Sequence, residues 1–136
     1  MTLRGGVLMP TSATQAQQGL FVIRNADMAT TADQAFTKLF AGAGYVVTGI
    51  VAVRKTGAFS VACLGGIYTA ASKGGVALLS AAQSWATLTG AGAAAVPLVA
   101  NLLQTITSSA TPILSLTTAN LAALTADIFI LGAVID

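Results

Sequence analysis

The chain carries no charged side chain between Lys73 and Asp127, and it contains no histidine and no glutamate. Such a stretch lies either in a membrane or against other protein surface. A membrane-spanning helix needs about 18 to 20 consecutive apolar residues. The best window, Ala86 to Ala100, is shorter, contains Pro97 and takes its hydropathy mainly from alanine. The stretch is therefore predicted to pack against protein, and no membrane is expected among the partners.

The composition limits the class of protein. The 136 residues, 55% of them apolar, are enough for one domain with a buried core. Charged residues make up only 7% of the chain, and the net charge of +2 is spread over scattered cations. This pattern does not indicate a nucleic-acid-binding surface. A surface with so little charge is expected to be covered by other subunits.

The side chains that usually act in enzyme catalysis are scarce in this chain. Without histidine, neither Cys63 nor a serine has a nearby base to activate it, so Cys63 is predicted to be a buried structural thiol. A cation held by Asn25, Asp27 and Asp33 is a weaker alternative to ordinary turn and cap roles for these residues. No catalytic residue, no cofactor and no metal is therefore predicted. Six large rings are predicted to fill the core rather than form a ligand shelf: Phe21, Phe36, Phe40, Phe59, Trp85 and Phe129.

Short apolar segments separated by turn residues predict strands. The clearest is Tyr45 to Arg54, and Ala58 to Leu64 follows it across Lys55-Thr56-Gly57, which predicts a hairpin. Helix is the alternative for Ala32 to Phe40 and for Ala93 to Leu103. The other predicted strands are Ile67 to Thr69, Val76 to Ser80, one or two segments within Val96 to Ile106, Ile113 to Thr118, and Asp127 to Ile135.

Glycines mark the predicted breaks. Gly65-Gly66 predicts a bend or bulge, and Gly132 predicts a kink in the last strand. Ser72-Lys73-Gly74-Gly75 predicts a turn with positive backbone angles. Short strands at this spacing are typical of an all-β sandwich or barrel. The fold predicted here is all-β, a single antiparallel β-sandwich.

Residues 1–19 differ from the rest of the chain because they are polar and lack a strong period. They form either a frayed terminus or an extended N-terminal arm that becomes ordered on a neighbouring subunit. The predicted organisation is an arm at 1–19 and a β-sandwich domain at 20–136. Partner-binding residues are predicted in the arm: Leu3, Arg4, Val7, Leu8 and Met9.

Several segments together resemble a known group of proteins. They are TTADQAFTKLF from Thr30, YVVTGIVAV from Tyr45, GGIYTAASKGGVAL from Gly65, AAQSWATLTGA from Ala81 and PILSLTTANLAALTADIFILG from Pro112. Between Gly19 and the C-terminus, the chain resembles small tailed-phage and prophage structural proteins. These are jelly-roll modules used as head decoration (cement) proteins or as parts of head and tail fibres.

The resemblance implies a fold and a role. The fold would be a jelly roll, and the protein would be a non-enzymatic capsid decoration protein of the virion, assembled in the host cytoplasm. Its implied partners are the major capsid protein and further copies of itself in a homo-oligomer, with a trimer as the state typical of the group. A tail, baseplate or fibre module is the alternative, and a small membrane-active, holin-like protein is the alternative from another class.

Overall fold

A computed structural model of the chain describes residues 18–57, 63–89, 95–98, 105–106 and 111–135. In chain order the strands are β1 (Gln18–Asp27), β2 (Gln34–Ala35), β3 (Thr37–Lys38), β4 (Gly44–Gly57), β5 (Leu64–Ala70), β6 (Gly74–Leu79), β7 (Ala95–Leu98), β8 (Thr105–Ile106), β9 (Ile113–Thr118) and β10 (Leu124–Ile135). The helical structure in these ranges is one short 3-10 helix, Ala86–Thr89. The predicted all-β fold is confirmed. No helix of the described part is long and apolar enough to cross a membrane.

The strands form two antiparallel sheets. The first has the order β3-β1-β10-β4-β7, with β8 paired to another part of β4. The second has the order β2-β9-β5-β6. Strands β1 and β10, far apart in the chain, are therefore neighbours in the first sheet, and both of its longest pairings involve β10. The jelly-roll connectivity itself stays a prediction.

One hydrophobic core joins the two sheets. Ile128 and Ile130 of β10 pack in the same buried cluster as Leu114 of β9 and Ile67 of β5. Burial of these side chains stabilises the fold by roughly 25 cal/mol for each square ångström of apolar surface removed from water. Trp85 is fully buried, and its indole N–H donates to the Gly65 carbonyl oxygen at 3.0 Å. The sheets are thus held together as a β-sandwich.

Most of the large rings lie in the core, as predicted. Phe21, Phe36 and Trp85 are buried, and Phe40 packs against the core. Phe129 differs, because it is only half-buried and does not belong to the core cluster. Phe59 lies outside the described residues.

Several predicted strands and breaks are confirmed. Tyr45 to Arg54 lies within β4, and Ile113 to Thr118 coincides with β9. A register shift between Leu64 and Gly65 forms the expected bulge, and another between Leu131 and Gly132 accompanies the predicted kink. Residues 1–17 lie outside the described residues, so the arm stays a prediction, and β1 begins at Gln18.

Three local predictions are wrong. Lys55-Thr56-Gly57 is not a hairpin connection, since β4 continues through it and Thr56 and Gly57 pair with the start of β10.

The helix alternative for Ala32 to Phe40 fails because this segment crosses from one sheet to the other, with β2 paired to β9 and β3 paired to β1. An extended chain can make both pairings within a few residues, whereas a helix rises too little per residue. The helix alternative for Ala93 to Leu103 likewise fails at β7, which is extended and pairs with β4.

Candidate functional site

The first sheet has an apolar surface on the side that faces away from the core. On β10, Ile128 and Ile130 point into the core, so Phe129 and Leu131 point to the opposite side, because side chains alternate along a strand. Both are half-buried, in contrast to their fully buried neighbours. A free sandwich is expected to present polar side chains on such a surface.

Cross-strand pairing arranges this surface in rows. Phe129 lies between Val22 of β1 and Val51 of β4, and these three side chains form one apolar row. In the next row, Leu131 lies between two glycines, Gly19 and Gly49. We call this surface the outer face; it comprises Gly19, Val22, Val46, Gly49, Val51, Val53, Phe129, Leu131, Ala133 and Ile135.

Exposed leucine and isoleucine side chains extend the outer face at its edges. Leu39 is 52% exposed, and a Cβ built on Gly19 would lie 3.4 Å from Leu39 Cδ1, so the leucine borders the glycine. Ile135, at the end of β10, is 38% exposed. A continuous apolar surface of this kind is typical of a protein-binding surface.

A charged cluster closes the other end of the outer face. Arg24 and Asn25 of β1 both stand opposite Asp127 of β10, which makes a bulge with two residues against one. Asn25 has a positive φ of 54° there, and its N–H donates to Asp127 Oδ1 at 2.9 Å. Arg24 Nη1 lies 3.1 Å and Lys55 Nζ 3.7 Å from Asp127 Oδ2. Lys55 is itself the extra residue of a second bulge, between β4 and β10.

The cluster presents positive charge to the surroundings. The Asp127 side chain is only 6% exposed, whereas those of Arg24 and Lys55 are 66% and 46% exposed. Burial raises the pKa of Asp127, but hydrogen bonds from the Asn25 N–H and Arg24, with the charges of Lys55 and Arg24, outweigh it and lower the pKa. The carboxylate therefore stays ionised. From its buried position it offsets part of the positive charge of Arg24 and Lys55. The Arg24 guanidinium also lies 5.2 Å from the centre of the Phe129 ring, which links the cluster to the apolar rows.

A second polar cluster lies at the β5-β6 turn, on the other sheet. Ser72 and Lys73 both have positive φ, 56° and 61°, which confirms the predicted turn. The Ser72 N–H donates to Asp33 Oδ2 at 2.7 Å, and Lys73 Nζ donates to Ser115 Oγ at 3.0 Å. The Ser72 N–H, the Ser115 hydroxyl and the charge of Lys73 together lower the pKa of Asp33, against a small opposing effect of burial. These contacts stabilise a turn in which both central residues have positive φ. Asp33 is the one carboxylate that takes part in them.

The remaining reactive groups are placed in structural roles. Cys63 is buried as predicted, and burial raises the pKa of its thiol. Asp27 Oδ1 accepts from the Ala29 N–H, which is a turn role, and Asn25 and Asp33 lie in the two different clusters above. Within the described ranges, no three His, Cys, Asp or Glu residues lie close enough together to hold a metal ion.

The residues predicted from the sequence to bind partners are not the ones that form the outer face. Leu3, Arg4, Val7, Leu8 and Met9 all lie outside the described residues. Val22, Val51, Phe129 and Leu131 were not predicted as a surface. Their signal is the uninterrupted apolar run of β10 after Asp127, which leaves no polar residue for the side away from the core over residues 128–135.

No family model, no curated protein and no solved structure matches this chain. The class of protein is therefore defined by the fold and its surfaces. They define an all-β protein with two antiparallel sheets and one apolar, cation-bordered outer face.

Proposed function

We propose that the protein is a non-enzymatic structural protein of a tailed-phage or prophage virion, and specifically a capsid decoration protein that binds and stabilises the assembled head. It acts as a homo-oligomer on the capsid surface, with the major capsid protein as its partner. The observation that carries the proposal is the outer face. An apolar sheet surface in a chain with 7% charged residues is stable in water chiefly when protein covers it.

The strand order supports the jelly-roll part of the proposal. Along the chain, β1, β2, β4 and β5 alternate between the two sheets, β5 and β6 form a hairpin, and β7, β9 and β10 alternate again. The two sheets then have the orders β1-β10-β4-β7 and β2-β9-β5-β6. Eight strands wound in this way, with the first and last side by side, are the pattern expected of a double Greek key.

The chemistry of the described residues supports a role without catalysis. Cys63 is buried beside the Met28 carbonyl oxygen, and the carboxylate of Asp127 is engaged by two cations and a backbone N–H. A decoration protein needs only buried apolar area and paired backbone at subunit boundaries, less the cost of association. Its neutral surface suits this role because few charges must be desolvated on binding.

The test is binding to particles. Purified protein is mixed with assembled shells of the phage that encodes the chain, with its unassembled capsid subunits and with its isolated tails, and each mixture is sedimented. Retention on assembled shells, with much weaker retention on free subunits, is the expected result. Equal retention on shells and subunits would overturn the decoration role, and retention on tails alone would favour the tail or fibre module instead.

A further inference from the structure

We infer that the outer face binds a segment of the capsid protein in which an aspartate or glutamate lies next to apolar side chains, and that Arg24 and Lys55 bind its carboxylate. The occupant of the face is thus a different protein with a stated chemistry. The inference rests on the proposed function, and it names the surface and the partner chemistry that this function would use.

Arg24 and Lys55 carry more positive charge than the fold itself pairs. Their side-chain nitrogens lie 3.1 and 3.7 Å from the same atom, Asp127 Oδ2. Of the acids in the described part of the chain, Asp127 alone is within ion-pair distance of either cation. The Arg24 guanidinium donates one hydrogen bond to it, whereas the distance from Lys55 is too long for one. Because each cation has several N–H donors, the pair can bind a second carboxylate.

The two cations lie directly beside apolar side chains of the outer face. Val53 of β4 pairs with Asp127, and the next row along β10 on this side is that of Phe129. The Arg24 guanidinium lies 5.2 Å from the centre of the Phe129 ring. Successive rows on one side of a strand lie roughly 6.6 Å apart, so a matching partner segment carries an acid and an apolar side chain at about this spacing. Apolar contacts around the carboxylate exclude water and strengthen its attraction to the cations.

The charges of the chain itself do not supply this acid. Residues 1–17 contain Arg4 and no aspartate or glutamate, so this segment could bring a cation to the outer face but no carboxylate. The whole chain has six cations and four acids. Two of those acids, Asp33 and Asp127, are already held by contacts within the fold. Charge complementarity therefore favours a different protein as the occupant over this chain or a second copy of it.

Carbodiimide cross-linking tests the contact without altering the protein. Wild-type protein is bound to assembled shells of the phage that encodes the chain, and a water-soluble carbodiimide is added. The reagent activates a carboxylate, the Lys55 amine displaces the activated oxygen to form an amide bond, and the reagent leaves as a urea. Mass spectrometry of the digested shells is expected to find Lys55 joined to an aspartate or glutamate of the capsid protein.

Protein without shells is the control for cross-links within one copy, such as that between Lys55 and Asp127. Cross-links to the capsid protein from Lys38 or Lys73 in place of Lys55 would overturn the inference, and so would the absence of any such cross-link. A cross-link from Lys55 to an acid of a second copy would also overturn it, because the occupant would then be this chain.

Matched substitutions test the sign of the partner's charge. Lys55→Gln and Lys73→Gln each remove one cation, the first from the outer face and the second from the β5-β6 turn of the other sheet. Lys55→Gln is expected to raise the dissociation constant for shells about fivefold or more, and Lys73→Gln is expected to leave it unchanged. Lys55→Glu is expected to bind more weakly still, because it repels an acidic partner. Circular dichroism and thermal unfolding check that each variant is folded.

The proposed function and this contact fail in different ways. Wild-type protein that does not bind shells would overturn both. Wild-type protein that binds shells no more tightly than Lys55→Gln and Lys55→Glu would overturn the contact and leave the proposed function standing. Raising the salt concentration is expected to weaken shell binding more for wild type than for Lys55→Gln, since salt screens the added charge pair. An equal salt dependence of the two proteins would likewise overturn the contact.

Discussion

Arg24 and Asp127 are 103 positions apart in the sequence, yet Arg24 Nη1 lies 3.1 Å from Asp127 Oδ2 in the folded chain. The contact joins β1 to β10, the two ends of the described chain. The bulge at Arg24 and Asn25 supplies both donors, since one side chain and the next backbone N–H bind the two oxygens of a single carboxylate. This carboxylate fixes the local register of two central strands, because a bulge leaves backbone groups that the ladder does not satisfy.

Asp127→Asn is expected to destabilise the fold at neutral pH by about 1–3 kcal/mol, since the charged hydrogen bonds become neutral and two cations lose their partner. The lowered pKa of Asp127 means that its stabilising contribution is fully present above the ordinary aspartate pKa of about 4 and is lost as the pH falls through the lower folded value. Urea unfolding at neutral and acidic pH measures the free energy of unfolding. The gap between wild type and variant should shrink as the pH falls below about 4. Asp27→Asn, which removes an exposed acid that binds the Ala29 N–H, is the control. An identical pH dependence in wild type and Asp127→Asn would contradict this role.

Tyr45→Phe is expected to stabilise the protein by up to about 1 kcal/mol. The Tyr45 hydroxyl is buried and has no hydrogen-bond partner among the described residues, so its desolvation is not compensated. The ring itself packs edge-on against Phe21 and Phe40, with centroids 5.0 and 5.9 Å away, and the variant keeps this packing. Thermal unfolding measures the effect, with Tyr45→Leu as the control that loses the ring contacts and is expected to be less stable than wild type. A clear loss of stability in Tyr45→Phe would indicate that the hydroxyl has a partner after all.

The same hydroxyl gives an alkaline prediction. Burial raises the pKa of Tyr45 to about 12. Because the folded pKa is raised, the contribution of Tyr45 is fully present below the ordinary tyrosine pKa of about 10 and is lost as the pH rises through the folded value. Denaturant unfolding at several alkaline pH values should show a smaller loss of stability in Tyr45→Phe than in wild type. Parallel curves for the two proteins would count against a buried, neutral tyrosine.

The sequence predicts a strand correctly where its local pattern of apolar and polar residues agrees with the pairing of that strand in the fold. Strand β9 matches its predicted bounds because Leu114 and Leu116 alternate with Ser115 and Thr117 and a proline precedes them. Strand β1 was not among the predicted strands, although Leu20 to Ile23 is apolar, because the bulge at Arg24 and Asn25 breaks the alternation. The two-residue strands β2 and β3 are too short to show any period.

The candidate site was harder to predict for a physical reason. From Ile128 onward β10 is apolar on both sides, so the hydrophobic pattern of this run does not indicate which of Ile128 and Phe129 faces the core. The turn-like composition of Lys55-Thr56-Gly57 predicted a connection, but pairing with β10 keeps it extended. The cluster around Asp127 depends on contacts between residues far apart in the sequence, 103 positions in the case of Arg24 and Asp127, and such contacts leave no local signal.

At Lys73, in the strained β5-β6 turn, glycine is expected to be more stable than alanine. Ser72 and Lys73 both adopt the left-handed conformation, and the Gly74 N–H donates to the Ala71 carbonyl oxygen across the turn at 3.1 Å. Turns of this geometry favour glycine at the second central position, which is Lys73. Lys73→Gly and Lys73→Ala lose the same contact with Ser115, so the difference between them isolates the backbone. Lys73→Gly is expected to be more stable than Lys73→Ala by about 1 kcal/mol in urea unfolding. The reverse order would show that the turn is not left-handed at this residue.

Two glycines in neighbouring strands are expected to respond very differently to one added methyl group. A Cβ on Gly132 of β10 would collide with the Val46 carbonyl oxygen of β4, and a main-chain atom cannot rotate away as a side chain can. Gly132→Ala is therefore expected to destabilise the protein by more than about 2 kcal/mol. Gly19→Ala is the matched control, since its Cβ would meet only Leu39 Cδ1, at the ordinary contact distance of 3.4 Å, and its effect should stay within about 0.5 kcal/mol. Thermal and urea unfolding of both variants provide the comparison. Similar stabilities for the two would mean that β4 and β10 are not as closely paired at Gly132 as the register requires.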